Sequence, residues 1–180
     1  MPSAGWISTR RYRGLLWAAL MLSLVLGTAF IVVDRREADL LQRDIVPLTD
    51  EQAVQQVVAP ARQIVATAHL NEVTAGYAFV SCVSENEPPY QVVLYMSFRL
   101  PQGDWGRRLD EVASAMIDGG WADAPAPAER FGRKLTSDGV TAVLQRNGDD
   151  AGFATARLYG ECRNTTDHRN DNPAWTEVSL

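Results

Sequence analysis

Residues 90–100 read YQVVLYMSFRL, and the alternation in that stretch decides the fold. Val92, Leu94, Met96, Phe98 and Leu100 share one parity, so an extended chain turns all five to one side. The run before it, AGYAFVSCVS at 75–84, is apolar on both parities. Tyr77, Phe79 and Val83 point one way, Ala78, Val80 and Cys82 the other. A strand covered on both faces is expected at the centre of its sheet. Between the two runs SENEPPY supplies a turn, which predicts an antiparallel hairpin.

Outward of the hairpin lie two helix signals. In DWGRRLDEVASAMIDGG (104–120), Asp104 can cap the helix and Gly119 and Gly120 can end it; Trp105, Leu109, Val112, Met116 and Ile117 form the expected buried stripe. Upstream, Thr49 and Gln52 have capping-box spacing, and Val54, Val57, Val58, Ala61 and Ile64 repeat at helical intervals. Pro60 is expected to kink that helix or start a second one. After a loop, ADAPAPAER, three short strands follow: RFGRKLT, VTAVLQR and GFATARLYGEC, joined by the turn signals SDG and NGDD. The order predicts an α+β domain, an antiparallel sheet of about five strands packed against helices. The final RNTTDHRNDNPAWTEVSL is polar and aperiodic, and an irregular tail is expected there.

The N-terminal segment points to a compartment. Residues 14–33, GLLWAALMLSLVLGTAFIVV, are twenty residues without a charge. At about 1.5 Å per residue a helix of that length matches the hydrocarbon core of a bilayer. A cleaved signal peptide is the rival, with Gly27 and Ala29 as small residues near a cut, but Phe30 to Val33 continue the apolar run past it. The expectation is an uncleaved signal anchor at 14–33, embedded in the lipid bilayer. No cysteine follows the run, so no lipobox is read. Arg10, Arg11 and Arg13 favour a cytoplasmic tail at 1–13; a helical stalk at 34–48, an extracytoplasmic domain at 49–168 and a polar tail at 169–180 complete the expected order. Ala19, Ser23 and Gly27 recur every four residues, a face on which a second helix could pack closely.

Beyond residue 33 the chain carries 14 basic and 22 acidic residues, a formal charge of −8. Phosphate backbones would be repelled, so nucleic acid is not an expected partner. Lys134 is the single lysine against 16 arginines, a bias typical of GC-rich genomes.

Residues 158–168, LYGECRNTTDH, gather Glu161, Cys162, Asp167 and His168. Cys82 shares a parity with Ala78 and Val80, and Cys162 with Ala156 and Leu158, which places both thiols on core-facing strand positions. Outside the cytoplasm such a pair is most simply a disulfide, Cys82–Cys162. Inside the cytoplasm the same residues would be two buried, inert thiols. A zinc centre would need four Cys or His ligands, usually in close pairs, and the chain has two of each with no such spacing. His168 with Asp167 and Asp171 could hold a cation, or form a solvated loop. His69, near the end of the first helix, reads as a surface or cap residue. Asn164–Thr166 forms a glycosylation sequon. No nucleophile elbow, P-loop or dinucleotide fingerprint is present. No catalytic, cofactor-binding or metal-ligating residue is therefore assigned, and no cofactor is expected.

The short Arg-rich tail, the single apolar span, the helix ending GGW, the DGV hairpin and the closing GECRNTTDH resemble small membrane-anchored or lipoprotein-like envelope proteins of high-GC Gram-positive bacteria. The resemblance implies an extracytoplasmic domain and transfers no functional residue. This chain departs from the lipoprotein members in lacking the lipidated cysteine. The expected function is a non-enzymatic interaction or accessory protein of the cell envelope, with an envelope protein partner or self-association. Two alternatives stand beside it. One is a sensor or binder of a lipid or wall-derived ligand, lined by Trp105, Trp121, Tyr95 and Phe98; the other is an envelope hydrolase.

Overall fold

The computed structural model describes residues 46–84, 86–101, 103–124, 132–150, 152–173 and 175–180. The expected tail (1–13), anchor (14–33), nearly all of the stalk and the Ala19–Ser23–Gly27 face lie outside the described residues. Among the described residues no helix is long and apolar enough to cross a membrane.

Residues 46–180 form one compact unit. Helix α1 spans Asp50–Thr67, and its first turn carries the expected capping box: Gln52 N–H donates to Thr49 Oγ1, and Thr49 N–H to Gln52 Oε1. Pro60 lies inside this one helix and starts no second one. The strands β1 (Thr74–Ser81) and β2 (Tyr90–Arg99) pair antiparallel, as expected. Helix α2 (Trp105–Asp118) is capped by Asp104, whose Oδ1 accepts from Arg107 N–H. Then follow β3 (Ala122–Asp123), β4 (Gly132–Ser137), β5 (Val140–Arg146), β6 (Phe153–Tyr159) and β7 (Thr176–Glu177). The SDG signal makes the β4–β5 hairpin, with Asp138 and Gly139 both at positive φ (46° and 79°), as a two-residue turn between twisted strands requires.

All pairs are antiparallel, and the sheet order is β3-β4-β5-β6-β2-β1-β7. Among the described residues the sheet has seven strands rather than about five, because two-residue strands extend it at both edges. Such short pairings carry no periodic signal. Both described helices lie on one face. Val92, Leu94, Met96 and Phe98 of β2 are at most 1% exposed and share one core with Val57, Ile64, Val112 and Met116. Each such side chain contributes about 1.5–3 kcal/mol of burial. Around α2 the stripe is centred on Leu109, Val112, Ala113 and Met116. Ile117, expected inside, sits about 90° from that centre at 100° per residue and is exposed.

β1 is not central, as its two-sided apolar pattern suggested; β2 and β6 are. The pattern has another cause. The C-terminal segment passes round the β1 edge and puts one ring on each side of it. His168 stacks on Phe79 on the helix side. Trp175 lies against Gly76 on the other side, where a Cβ would come within 2.2 Å of the indole nitrogen. The expected irregular tail thus supplies β7 and both of these covers.

Candidate functional site

The chemistry-bearing stretch 161–168 folds onto the N-terminus of α1. Cys82 and Cys162 form a disulfide with a Cα–Cα distance of 6.1 Å. The pairing is as expected, but the positions are not. β1 ends at Ser81 and β6 at Tyr159, so the strand parity stops short of both cysteines. Cys82 is half-buried and Cys162 exposed, joining the ends of the two strands that flank β2 rather than lying in the core.

Asn164 is fully buried and uses every hydrogen-bonding site of its amide. Its Nδ2 donates to Asp50 Oδ1 (2.7 Å) and to the Leu48 carbonyl (3.3 Å). Its Oδ1 accepts from Thr166 N–H and faces His168 Nε2 at 3.1 Å. Backbone bonds in both directions tie it to Tyr90. One side chain therefore ties the α1 cap, the start of β2 and the C-terminal segment together. The sequon asparagine is sealed in the folded domain.

His168 has a side chain only 5% exposed. Its ring lies parallel to Phe79 with centroids 3.6 Å apart and meets Tyr90 edge-on at 5.1 Å. Nδ1 is 2.9 Å from Asp171 Oδ2, and Nε2 faces Asn164 Oδ1, with Asp50 Oδ1 at 3.5 Å. Both nitrogens face side-chain oxygens inside the domain. A general base must be aimed at substrate, and neither nitrogen points to open solvent here. Asp167 turns away to Arg169, whose guanidinium and backbone N–H hold its carboxyl down at about 2. Burial pushes Asp50 up, but hydrogen bonds from Asn164 and Thr166 and the charge of His168 outweigh it, leaving Asp50 below its ordinary value. Among the described residues no three His, Cys, Asp or Glu side chains are grouped as metal ligands. His69 lies exposed in the turn two residues beyond the end of α1, at a positive φ of 48°.

The aromatic residues expected to line a pocket divide. Phe98 (0%) and Trp121 (5%) are core, and Trp105 sits half-buried under the Arg146 guanidinium. Tyr95 does not join them. Residues paired directly across an antiparallel sheet share a face, and Tyr95 pairs with Gly76 on one side and Arg157 on the other. It stands on the face opposite the helices, which among the described residues no helix covers. One registered row on that face runs across six strands: Lys134, Val143, Arg157, Tyr95, Gly76 and Glu177. Trp175 lies over Gly76, 42% exposed, with its ring 6.4 Å from Tyr95. Beside them is a depression of 650 Å³ lined by Thr74, Gly76, Tyr95, Trp175, Glu177 and Ser179. A shallower one of 430 Å³ lies by Asp50, Phe79 and His168.

The sequence reading missed Trp175 and this row. The only available signal was a lone tryptophan in an otherwise polar run.

The family model described as "Putative lipoprotein LppJ" matches residues 49–180, from the cap of α1 to the last residue. Proteins called "Putative lipoprotein LppJ" from Mycobacterium tuberculosis (strain ATCC 25618 / H37Rv) and Mycobacterium bovis (strain ATCC BAA-935 / AF2122/97) are each 47% identical to the chain over 127 residues. That is 70% of this chain and 67% of each relative. No solved structure matches.

Proposed function

The chain belongs to the LppJ lipoprotein family, and from that premise we propose that it is a non-enzymatic, envelope-anchored interaction protein whose uncovered sheet face contacts another envelope component. The relatives' description as lipoproteins and the disulfide both support a domain outside the cytoplasm. The apolar run 14–33 is the anchor in this reading, with the N-terminus in the cytoplasm. Both cysteines of the 180 residues are joined to each other, so neither remains for a thioether-linked lipid.

One observation carries the choice of surface. The helix face is filled by core side chains and His168 is sealed, whereas Tyr95, Arg157 and Trp175 stand on a face that no helix covers among the described residues. The test places a photo-crosslinking amino acid at Thr141, whose pairing with Tyr159 puts it on that face, or at the exposed Glu111 of α2. Light on intact cells should give a discrete adduct from Thr141 and none from Glu111. Equal adducts from both positions, or none from Thr141, would refute the choice of face. Proteolysis of intact and permeabilised cells tests the orientation: residues 46–180 should be cleaved in both.

A further inference from the structure

We propose that the row across the uncovered face binds an anionic saccharide, with a sugar ring on the Trp175–Tyr95 platform and its acid group at Arg157. The proposal deepens the preceding reading and rests on it.

Three features of the site select this chemistry. The first is the platform. Trp175 is 42% exposed, its indole N–H has no hydrogen-bond partner among the described residues, and Tyr95 meets it at 65° to form one wall of the 650 Å³ depression. That volume is in the range of small-ligand sites. Gly76 makes the platform possible, because any side chain there would collide with the indole.

The second is the mixed lining. A lipid tail would need a deep, uniformly apolar cavity. Here hydroxyls of Thr74 and Ser179 and the exposed Glu177 carboxylate alternate with the aromatic rings. Sugar rings carry the complementary pattern, with C–H faces for aromatic rings and hydroxyls for polar groups at the edge.

The third is charge. Arg157 is exposed, sits with its guanidinium 5.8 Å from the centre of the Tyr95 ring, and has no ion-pair partner among the described residues; Lys134, two strands on, has none either. From Lys134 through Tyr95 the row holds no carboxylate, in a chain whose residues beyond 33 total −8. Glu177 lies at the far end, beyond Gly76. Six strands at about 4.8 Å spacing give a track of roughly 24 Å, long enough for several linked sugars. The surrounding acidity limits the affinity, and salt weakens the exposed attraction between Arg157 and the acid group.

The test titrates the detergent-solubilised full chain with tetragalacturonate, its methyl ester and mannose 6-phosphate, following heat of binding. Tetragalacturonate should bind in the millimolar range or tighter. The methyl ester, which keeps the rings and loses the charges, should bind about tenfold more weakly, a difference of about 1.4 kcal/mol. Binding of mannose 6-phosphate in place of tetragalacturonate would assign the same site to sugar phosphates. Trp175→Ala should abolish binding, and Arg157→Gln, at an exposed position without an ion pair, should erase the preference for acid over ester. No binding of any of the three probes, or full binding by Trp175→Ala, overturns the proposal. If Thr141 still gives its adduct while no saccharide binds, the contact face stands and the saccharide is wrong. If neither is seen, both fall.

Discussion

Adding one methyl group at Gly76 tests whether the C-terminal segment is seated as described. A Cβ there would lie 2.2 Å from Trp175 Nε1, 2.6 Å from Cε2 and 2.9 Å from the Thr176 carbonyl oxygen. Comfortable contacts between such atoms need about 3.5–4.0 Å, so the indole must move by more than an ångström. Replacing glycine by alanine within a strand gains roughly 0.5–1 kcal/mol from reduced chain freedom. Overpacking costs about 1–3 kcal/mol, and displacement of Thr176 strains the short β1–β7 pairing as well. The collision wins, and Gly76→Ala is expected to destabilise by about 1–2 kcal/mol, around a tenfold shift in the folding equilibrium. Urea unfolding of the detergent-solubilised chain, followed by tryptophan emission, reads this as a lower midpoint. Adding Trp175→Ala should recover part of the loss, with a coupling of about 1 kcal/mol, since the carbonyl contact remains. An unchanged midpoint in Gly76→Ala, or strictly additive effects in the double variant, would refute the placement of Trp175.

Removing both cysteines opens an 80-residue loop, and the chain-entropy relation gives a loss of about 4.5 kcal/mol; unfolding with and without reductant measures it, and coincident midpoints would contradict it. Asn164→Ala should cost about 3 kcal/mol by thermal unfolding, because it strands the Thr166 N–H and the Leu48 carbonyl and unties Asp50 from His168. Asp50 and Asp167 both titrate below their ordinary value of 3.8 in the folded protein. Their stabilisation is therefore present above 3.8 and is lost as pH falls through that value toward about 2, where Asp167 titrates. Asp50→Asn should flatten the acid limb of the midpoint-against-pH curve, and an unaltered limb would count against the network.

Where a contact recurs with a period, the sequence announced it. β2 alternates because it lies at the middle of a sheet with helices on one side, and α1 and α2 begin where Thr49 and Asp104 can cap them. What went unread is held by single residues. Asn164, His168 and Trp175 each make one specific insertion along a polar run, so no stripe forms for periodicity to catch. The two-sided apolar pattern of β1 is a real signal of cover on both faces, but rings from the far end of the chain can supply that cover as well as neighbouring layers can. The cysteines were paired correctly and placed wrongly for one reason: strand parity was carried past Ser81 and Tyr159, where the strands stop. The uncovered face was legible only in part. Its row needs the register of six strands, and register depends on pairings between residues far apart in sequence.

The position of β6 also sets a timetable for synthesis. It is the last long strand of the chain, yet it lies between β5 and β2. Until residues 153–159 have been made, the β1–β2 and β4–β5 hairpins are two separate ribbons, each with an unsatisfied edge. Those edges can pair wrongly with other chains, so a pause shortly before residue 153 exposes the protein to aggregation. Cys162 emerges three residues after β6 ends, once the native partner strands are complete. With only two cysteines in the chain there is no wrong intramolecular pairing to make. Oxidation acts here as a latch on six strands already made, before β7 joins the edge, and its only misstep is to couple two chains that have not yet finished.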